Sequence, residues 1–530
     1  MDQRRVWLAV CLSLLLLFLY QELVVRRYQT EPIPPPETAS QPTRTQPTPE
    51  SQPTPAAEQP APPAAGGFEA PAAGDAVIVE TEVLRATLTP TGARLAALEL
   101  KHYRETVAAD SPPLALVTPD HPLLPLTVDL GQGRSDAGIV YVADQTRLEV
   151  APGQEGEVIF RGTTADGVTL EKRFRFRGSD YLFDVELRPS GNGAPARLGL
   201  LMGAIERPSV VGTQRPEQAI ALAEGRLVNE DLKNLASEPK TLTQAKWAGF
   251  GSQYFVGVMI PSPAPSEAFF GALGQHALVR VYAPVQEGIA RFKAFLGPKE
   301  HAVLENAGFD LSRALDFGWF WFVAIPLLAL LRQLHRVTGN YGVDIILLTT
   351  LVKVVTAPLT QTSFKNMRAM QKLQPQLQRL REQYKDDQAK LQQEMMELYR
   401  RNKVNPFSGC VPMLLQMPIF VGLYNALMYS IELRHAPFML WIQDLSAPDR
   451  LMIPGLPFGV PVLTLVMGLS MLAQQWMTPA QGDPTQQRMM MFMPVIFTFM
   501  FINFPAGLVL YWLVNNVLSI GQQWFLLRKS

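Results

Sequence analysis

The chain has 530 residues, 47% of them hydrophobic, and its 47 basic and 47 acidic side chains cancel to a formal charge of +0. A balanced charge excludes long-range attraction of nucleic acid by the protein as a whole. Two cysteines, Cys11 and Cys410, both in or beside apolar stretches, exclude a disulfide framework and a cysteine metal site.

Val6 to Val25 is apolar and long enough to span a bilayer. Arg4 and Arg5 precede it, and no small-x-small cleavage site comes before Arg26 and Arg27, so residues 1–28 read as an uncleaved anchor. Val10 stands before Cys11 where a lipoprotein acceptor has a small residue, which argues against lipidation. Residues 29–74 change character, with thirteen prolines between Pro32 and Pro71 among Ala, Gln, Thr and Ser. Such a tract cannot bury a core and is expected to be a semi-rigid linker.

Between about 75 and 310 the apolar period is two. Phe174 and Phe176 alternate with Arg173, Arg175 and Arg177; after Gly178, Ser179 and Asp180 come Tyr181, Phe183, Val185 and Leu187, alternating with Leu182, Asp184 and Glu186. That is a hairpin pattern. Similar short runs (Val77 to Val79, Val158 to Phe160, Ala277 to Tyr282), separated by Gly- and Pro-rich turns, predict a β-sandwich. His102, His121, His276 and His301 are scattered rather than spaced as ligands, and no phosphate loop or nucleophile motif occurs. A structural domain is expected there rather than a sugar or peptide cleft; neither a metal, a cofactor nor a catalytic residue is assigned, and an enzyme is not expected.

Phe317 to Leu331 is aromatic-rich but short, interrupted by Pro326 and closed by Arg332, His335 and Arg336, which predicts an interfacial amphipathic helix over 317–336. The region 341–530 then offers five candidate spans, at 342–360, 411–431, 457–476, 489–503 and 508–527, the last two joined by a tight turn through Phe504, Pro505, Ala506 and Gly507. With the anchor they make six.

Lys353 is the only charge in the apolar stretch Ile345 to Pro358. Placing a lysine at the centre of a membrane helix costs roughly 2.5 to 3.5 kcal/mol, and such a residue normally faces a bundle interior or a water-filled cavity. Asp344, nine residues earlier, lies about 13 Å away along a helix and is out of pairing reach. Thr349, Lys353, Thr356 and Thr360 recur at steps of four, three and four, one polar stripe along one face.

Residues 361–410 carry ten Lys or Arg and five acids, Glu382, Asp386, Asp387, Glu394 and Glu397. The positive-inside rule makes this loop cytoplasmic, and parity then puts the β-domain in the periplasm and both termini in the cytoplasm. Met367, Met370, Leu373, Leu377, Leu380 and Tyr384 keep a helical period despite Pro375, and Leu391, Met395, Leu398 and Tyr399 resume it. A basic helical hairpin is expected over 361–405, suited to a polyanionic partner such as ribosomal RNA or an acidic lipid surface.

Asn405-Pro406 with Gly409-Cys410, the run Pro412-Met413-Leu414-Leu415-Gln416-Met417-Pro418-Ile419-Phe420, the run Phe492-Met493-Pro494-Val495-Ile496-Phe497, and Phe504-Pro505-Ala506-Gly507-Leu508 resemble the YidC/Oxa/Alb family of membrane protein insertases. The resemblance is dense over 317–530 and looser over the anchor, linker and sandwich, an arrangement of the Gram-negative type. It implies an insertase and chaperone of the bacterial inner membrane working on nascent membrane proteins, with the ribosome, the Sec translocon (SecYEG and SecDF) and the lipid bilayer as partners. The family's intramembrane cation is commonly arginine, and Lys353 keeps the charge without the bidentate fork. The polar residues suggest a groove lined by Thr349, Lys353, Thr356, Gln416, Asn515, Asn516 and Ser519, which would admit water partway and shorten the dry distance a polar tail must cross. By resemblance, the apolar slide for the substrate's hydrophobic segment includes Met417, Phe420, Met500 and Trp512. Seventeen of the twenty methionines lie between 361 and 530, where flexible thioethers suit varied partners and also ordinary lipid-facing packing. The competing readings are a secondary transporter, which would want intramembrane carboxylates or inverted repeats, and a membrane-anchored periplasmic binding module.

Overall fold

The computed structural model describes residues 76–204, 217–385, 387–402, 404, 411–455, 459–477 and 484–528; the expected anchor and linker, and the motif residues 405–410, lie outside them. Two β-sheets occupy the first half. Strands Val77–Glu80, Leu84–Thr89, Arg94–Arg104 and Pro113–Val117 form an antiparallel meander, and Arg147–Glu149 joins the first of them in parallel to complete a five-stranded sheet. The other sheet has 14 strands among the described residues, more than an open twisted sheet carries without curling or branching. It branches at Lys240–Gly251, which pairs with Gln218–Ala223, Phe255–Ser262 and Ser266–Leu273. Gly249 permits this: a Cβ there would sit 2.0 Å from the Gly257 carbonyl oxygen, so no other residue fits. Both sheets contribute to one buried apolar core.

Alternation explains the central hairpin. Thr169–Arg177 pairs antiparallel with Leu182–Ser190, Phe174 opposite Val185 and Arg175 opposite Asp184. Phe174, Phe176, Phe183, Val185 and Leu187 are buried, with Phe176 stacked on Phe183 at 4.7 Å between centroids. The outer face carries Arg173 and Arg175 on Glu157 (3.1 and 3.2 Å) and Arg177 on Asp184 (2.9 Å). Each such half-buried, solvent-facing pair contributes about 1 kcal/mol or less against about 1.5–3 kcal/mol for a buried Phe, so the inward face holds the hairpin. Lys172 shares the parity of Phe174 and therefore points inward too. It is fully buried, ion-paired to Asp136 at 2.5 Å, and donates to the carbonyls of Gly92 (2.6 Å), Leu126 (3.0 Å) and Ala93 (3.3 Å). Asp136 in turn accepts from the Tyr141 hydroxyl (3.0 Å) and the Val128 amide (2.7 Å). Burial pushes the Lys172 pKa down, and the Asp136 charge opposes that push.

The second half is helical: α1 (His301–Ala307), α2 (Trp321–Thr338), α3 (Tyr341–Gln383), α4 (Gln388–Arg401), α5 (Val411–Tyr429), α6 (Val462–Met477), α7 (Pro484–Phe501) and α8 (Ala506–Arg528). Asn340 caps α3, its side-chain oxygen accepting from Gly342 and Val343 amides at 2.9 and 3.2 Å. Helix α2 packs on α5 and α3, α8 on α3 and α6, and α6 on α7. Two glycines permit close approach: a Cβ on Gly422 would lie 2.9 Å from Val323, and one on Gly468 2.2 Å from Thr498. The halves are tied by Gln253 Nε2 donating to the Met428 carbonyl (2.7 Å) and Arg434 to the Glu105 carbonyl (3.2 Å), and within the helical half Asn425 Nδ2 donates to the Phe317 carbonyl (2.7 Å).

Several boundaries differ from the sequence expectation; the span expected over 457–476, for one, is helical over Val462–Met477. The predicted span 342–360 and the first arm of the predicted hairpin are one helix, the 43-residue α3, which continues through Pro358 and Pro375. Each proline removes one backbone bond, but the flanking Leu, Met, Gln, Lys and Arg are strong helix formers. Leu373 and Leu377 also pack with Met395, Leu398 and Tyr399 of α4 and with Val404. The helix expected over 317–336 begins at Trp321, because Gly318 sits at φ +65 with its amide donated to Asp316 Oδ1 at 2.9 Å, a turn rather than a helix start. The span expected from 489 begins earlier, at Pro484, a residue suited to the first helical position. By length and composition, Tyr341–Pro358 is the one stretch among the described residues that could cross a membrane, while 462–477 and 491–501 are apolar but shorter. Helix α8 has the length, but Asn515, Asn516, Ser519, Gln522 and Gln523 dilute its apolar content.

Candidate substrate groove

Lys353 lies half-buried in the fourth turn of α3, facing α8. Its Nζ donates to Ser519 Oγ at 2.8 Å, and no ion pair joins it among the described residues. Asp344 is fully buried and engaged elsewhere, by His335 Nδ1 at 2.9 Å and by the Thr338 hydroxyl. Ser519 acts as a bridge: it accepts from Lys353 and donates to the Asn515 carbonyl at 2.7 Å. Gln522 Nε2 reaches the Ala357 carbonyl at 3.5 Å, so α3 and α8 meet along a polar seam.

The threonines of the stripe turn their hydroxyls onto their own helix. Thr349 Oγ1 donates to the Ile345 carbonyl (2.6 Å), Thr356 to Val352 (2.9 Å) and Thr360 to Thr356 (3.0 Å). Thr349 is fully buried, whereas Thr356 stays half-buried beside Lys353. Helix α8 likewise divides its amides. Asn515 is half-buried on the Lys353 side through its carbonyl, but Asn516 is buried and donates to Ser470 Oγ of α6 at 3.0 Å. Adjacent residues on a helix do not share a face, so one groove cannot take both. Gln416 on α5 donates to the Tyr511 hydroxyl at 2.6 Å, which links α5 to α8.

Of the four slide residues, two are brought together. Phe420 meets Trp512 edge-on at 4.7 Å between centroids, and Trp512 also contacts Phe501 (5.2 Å) and Phe497 (6.1 Å), with Phe504 4.9 Å from Phe501. Met417 and Met500 stand outside this cluster, 47% and 48% exposed. Tyr511, Ser470, Phe497 and Phe501 were not singled out from sequence; the i, i+4 spacing of Phe497 and Phe501 beside the Phe492–Phe497 string was the available signal. The assembled groups can hydrogen-bond, attract an anion and shelter an apolar segment. Among the described residues no group of three His, Cys, Asp or Glu side chains could hold a metal ion.

The family model described as the 60Kd inner membrane protein matches residues 333–530, and that of the YidC periplasmic domain matches 76–330. A membrane protein insertase YidC of Geobacter sulfurreducens is 40% identical over 466 residues, covering 85% of this chain and 86% of that protein. The one of Syntrophobacter fumaroxidans is 40% identical over 555 residues and covers 100% of both. A solved active YidC insertase with its first transmembrane domain resolved is 19% identical, with a TM-score of 0.38, over 85% of this chain and 92% of that one. With both halves matched by models of a single protein type and relatives aligned end to end, the chain belongs to the YidC family of membrane protein insertases, proteins of the inner membrane.

Proposed function

We propose that insertion runs along a groove between α3 and α8 whose cation is Lys353. The observation that carries this reading is the Lys353 ammonium in an apolar stretch with a single hydroxyl partner, Ser519, among the described residues. An ammonium has three N–H donors, so donors remain for a polar or acidic segment of a nascent chain. At 4 Å and an effective dielectric near 20, a carboxylate there gains about 4 kcal/mol, against several kcal/mol for each backbone group left unsatisfied in hydrocarbon. The attraction offsets the entry of a short tail, and partition of the following hydrophobic segment into lipid supplies the drive. Asn515 and Thr356 flank the cation, Thr349 and Asn516 stiffen the helices behind it, and Gln416 holds Tyr511. Phe420 and Trp512 form the apolar wall along which the segment leaves, with Met417 and Met500 on the outward side.

In this reading the protein crosses the membrane six times, the hairpin 361–405 and both termini are cytoplasmic, and 317–336 lies in the interface. The basic hairpin docks the ribosome, and work is shared with the Sec translocon. The chemistry is non-enzymatic. The transporter reading is not favoured, because the membrane helices following Lys353 bear no Asp or Glu to couple an ion.

The test is protease protection of a substrate with an acidic translocated tail in proteoliposomes. Lys353→Ala lowers protection by roughly tenfold or more, the equivalent of about 1.4 kcal/mol, and Lys353→Arg retains it. Equal insertion by wild type and Lys353→Glu would remove the electrostatic role.

A further inference from the structure

We propose that the tip of the α5–α6 connection, Ala436–Gln443, is seated in the periplasmic leaflet of the bilayer and fixes the depth of the adjoining helix ends. The eight residues, Ala-Pro-Phe-Met-Leu-Trp-Ile-Gln, carry no charge, although connections normally run through water and are polar. Ala436 and Ile442 are buried against the protein, while Leu440 is 77% exposed and Met439 50% exposed. The turn is built to hold them out. Leu440 adopts φ +55, a left-handed conformation that a side chain with a Cβ disfavours, and such strain persists only where the surroundings over-determine it.

Those surroundings are specific. The Phe438 amide donates to the Ile442 carbonyl (3.0 Å) and the Ile442 amide to the Met439 carbonyl (3.1 Å). Asp444 accepts from the His435 and Ser446 amides (3.1 and 2.8 Å), and Trp441 Nε1 donates to Asp449 (2.6 Å).

Depth follows from what the turn touches. The Phe438 ring lies so close to Gly342 that a Cβ there would sit 2.0 Å from it, and Asn340 Nδ2 donates to the Phe438 carbonyl at 3.0 Å. Gly342 is in the first turn of α3, where the apolar stretch Tyr341–Pro358 begins. The Gly507 amide of α8 donates to the Leu445 carbonyl at 2.9 Å, so the loop is level with a second helix start. This end carries the periplasmic domain, through Gln253 and Met428. Two projecting side chains are too small an area for a stable protein interface, whereas at a hydrocarbon boundary they insert directly. Trp319 and Trp321, 84% and 58% exposed at the start of α2, belong to the same end and are suited to an interfacial aromatic belt.

The test places a nitroxide on the full-length chain with Cys11→Ser and Cys410→Ser, at Leu440→Cys or Met439→Cys, in phosphatidylethanolamine and phosphatidylglycerol vesicles. Collisions with oxygen, which concentrates in lipid, are compared with those of a water-soluble nickel chelate. Val355→Cys, 70% exposed in the apolar stretch, and Val140→Cys, 71% exposed on the β-domain, are the lipid and water references. Both tip labels are expected to follow Val355, with nickel contact several-fold below that of Val140. A ratio matching Val140 would overturn the proposal, and so would exclusion of both agents, which would mean a covering protein.

Discussion

Lys172 and Lys353 carry the same ammonium into the interior of the two halves, and the halves treat it in opposite ways. In the β-domain Lys172 is enclosed by Asp136 and three backbone carbonyls, and its acceptor Asp136 is itself held by Tyr141 and Val128. In the helical half Lys353 has one hydroxyl partner among the described residues. Removing a charge from water costs several kcal/mol unless partners replace the water, so a closed acceptor set marks a structural pin between the two sheets. On the reading proposed above, the open one is a group that completes its coordination with a passing substrate.

The strongest way to break this contrast is to open the closed site. Asp136→Ala leaves Lys172 buried and uncompensated and is expected to destabilise the β-domain by about 3–5 kcal/mol, read as a shifted denaturant midpoint of the β-sheet circular dichroism. Replacing both partners with apolar residues of similar volume should recover most of that loss. An Asp136→Ala protein as stable as the parent would mean that Lys172 is no pin.

The converse change sharpens the open site. Ser519→Ala removes the hydroxyl to which Lys353 donates, at a stability cost of about 1 kcal/mol or less, yet insertion of acidic-tailed substrates should fall a few-fold in the protease-protection assay. A large loss of stability with unchanged insertion would assign Ser519 to packing.

The smallest effect belongs to the junction. Burial, then the charge of Glu432, raises the Glu300 pKa above 4.5, opposed by Arg332. A carboxyl whose folded pKa is raised binds more protons in the native than in the unfolded state, so its contribution is present at acidic pH and is lost as pH rises from 4.5 through the raised value. Glu300→Gln should flatten the decline of urea stability across that window and leave the slope elsewhere unchanged; an unaltered profile would discount this carboxyl.

Much of the contrast was legible in the residues. The alternation of Phe174 and Phe176 with arginines fixed the face of that hairpin, and the same parity applied two residues back would have put Lys172 inside. A lone charge in an apolar run made Lys353 conspicuous. What periodicity could not give was partner choice. Asn515 and Asn516 look alike in sequence, but a helix turns about 100° per residue, and only the position of α6 decides that Asn516 binds Ser470. Thr349 satisfied the polar stripe, yet its hydroxyl bonds Ile345 within its own helix. The continuity of α3 was hidden by Pro358 and Pro375, whose local cost is outweighed by packing of Leu373 and Leu377 that lies far away in sequence.

That continuity has a mechanical meaning. At about 1.5 Å per residue the 43 residues of α3 make a shaft roughly 65 Å long, with Lys353 near one end and the basic arm some 45 Å away at the other. One continuous helix therefore connects the arm to the cation, with no loop between them. Any bending should concentrate at Pro358 and Pro375, where a rung of the hydrogen-bond ladder is missing. Pro358, five residues beyond Lys353, is then the place where a bend would change the angle between the arm and the turn that carries the cation.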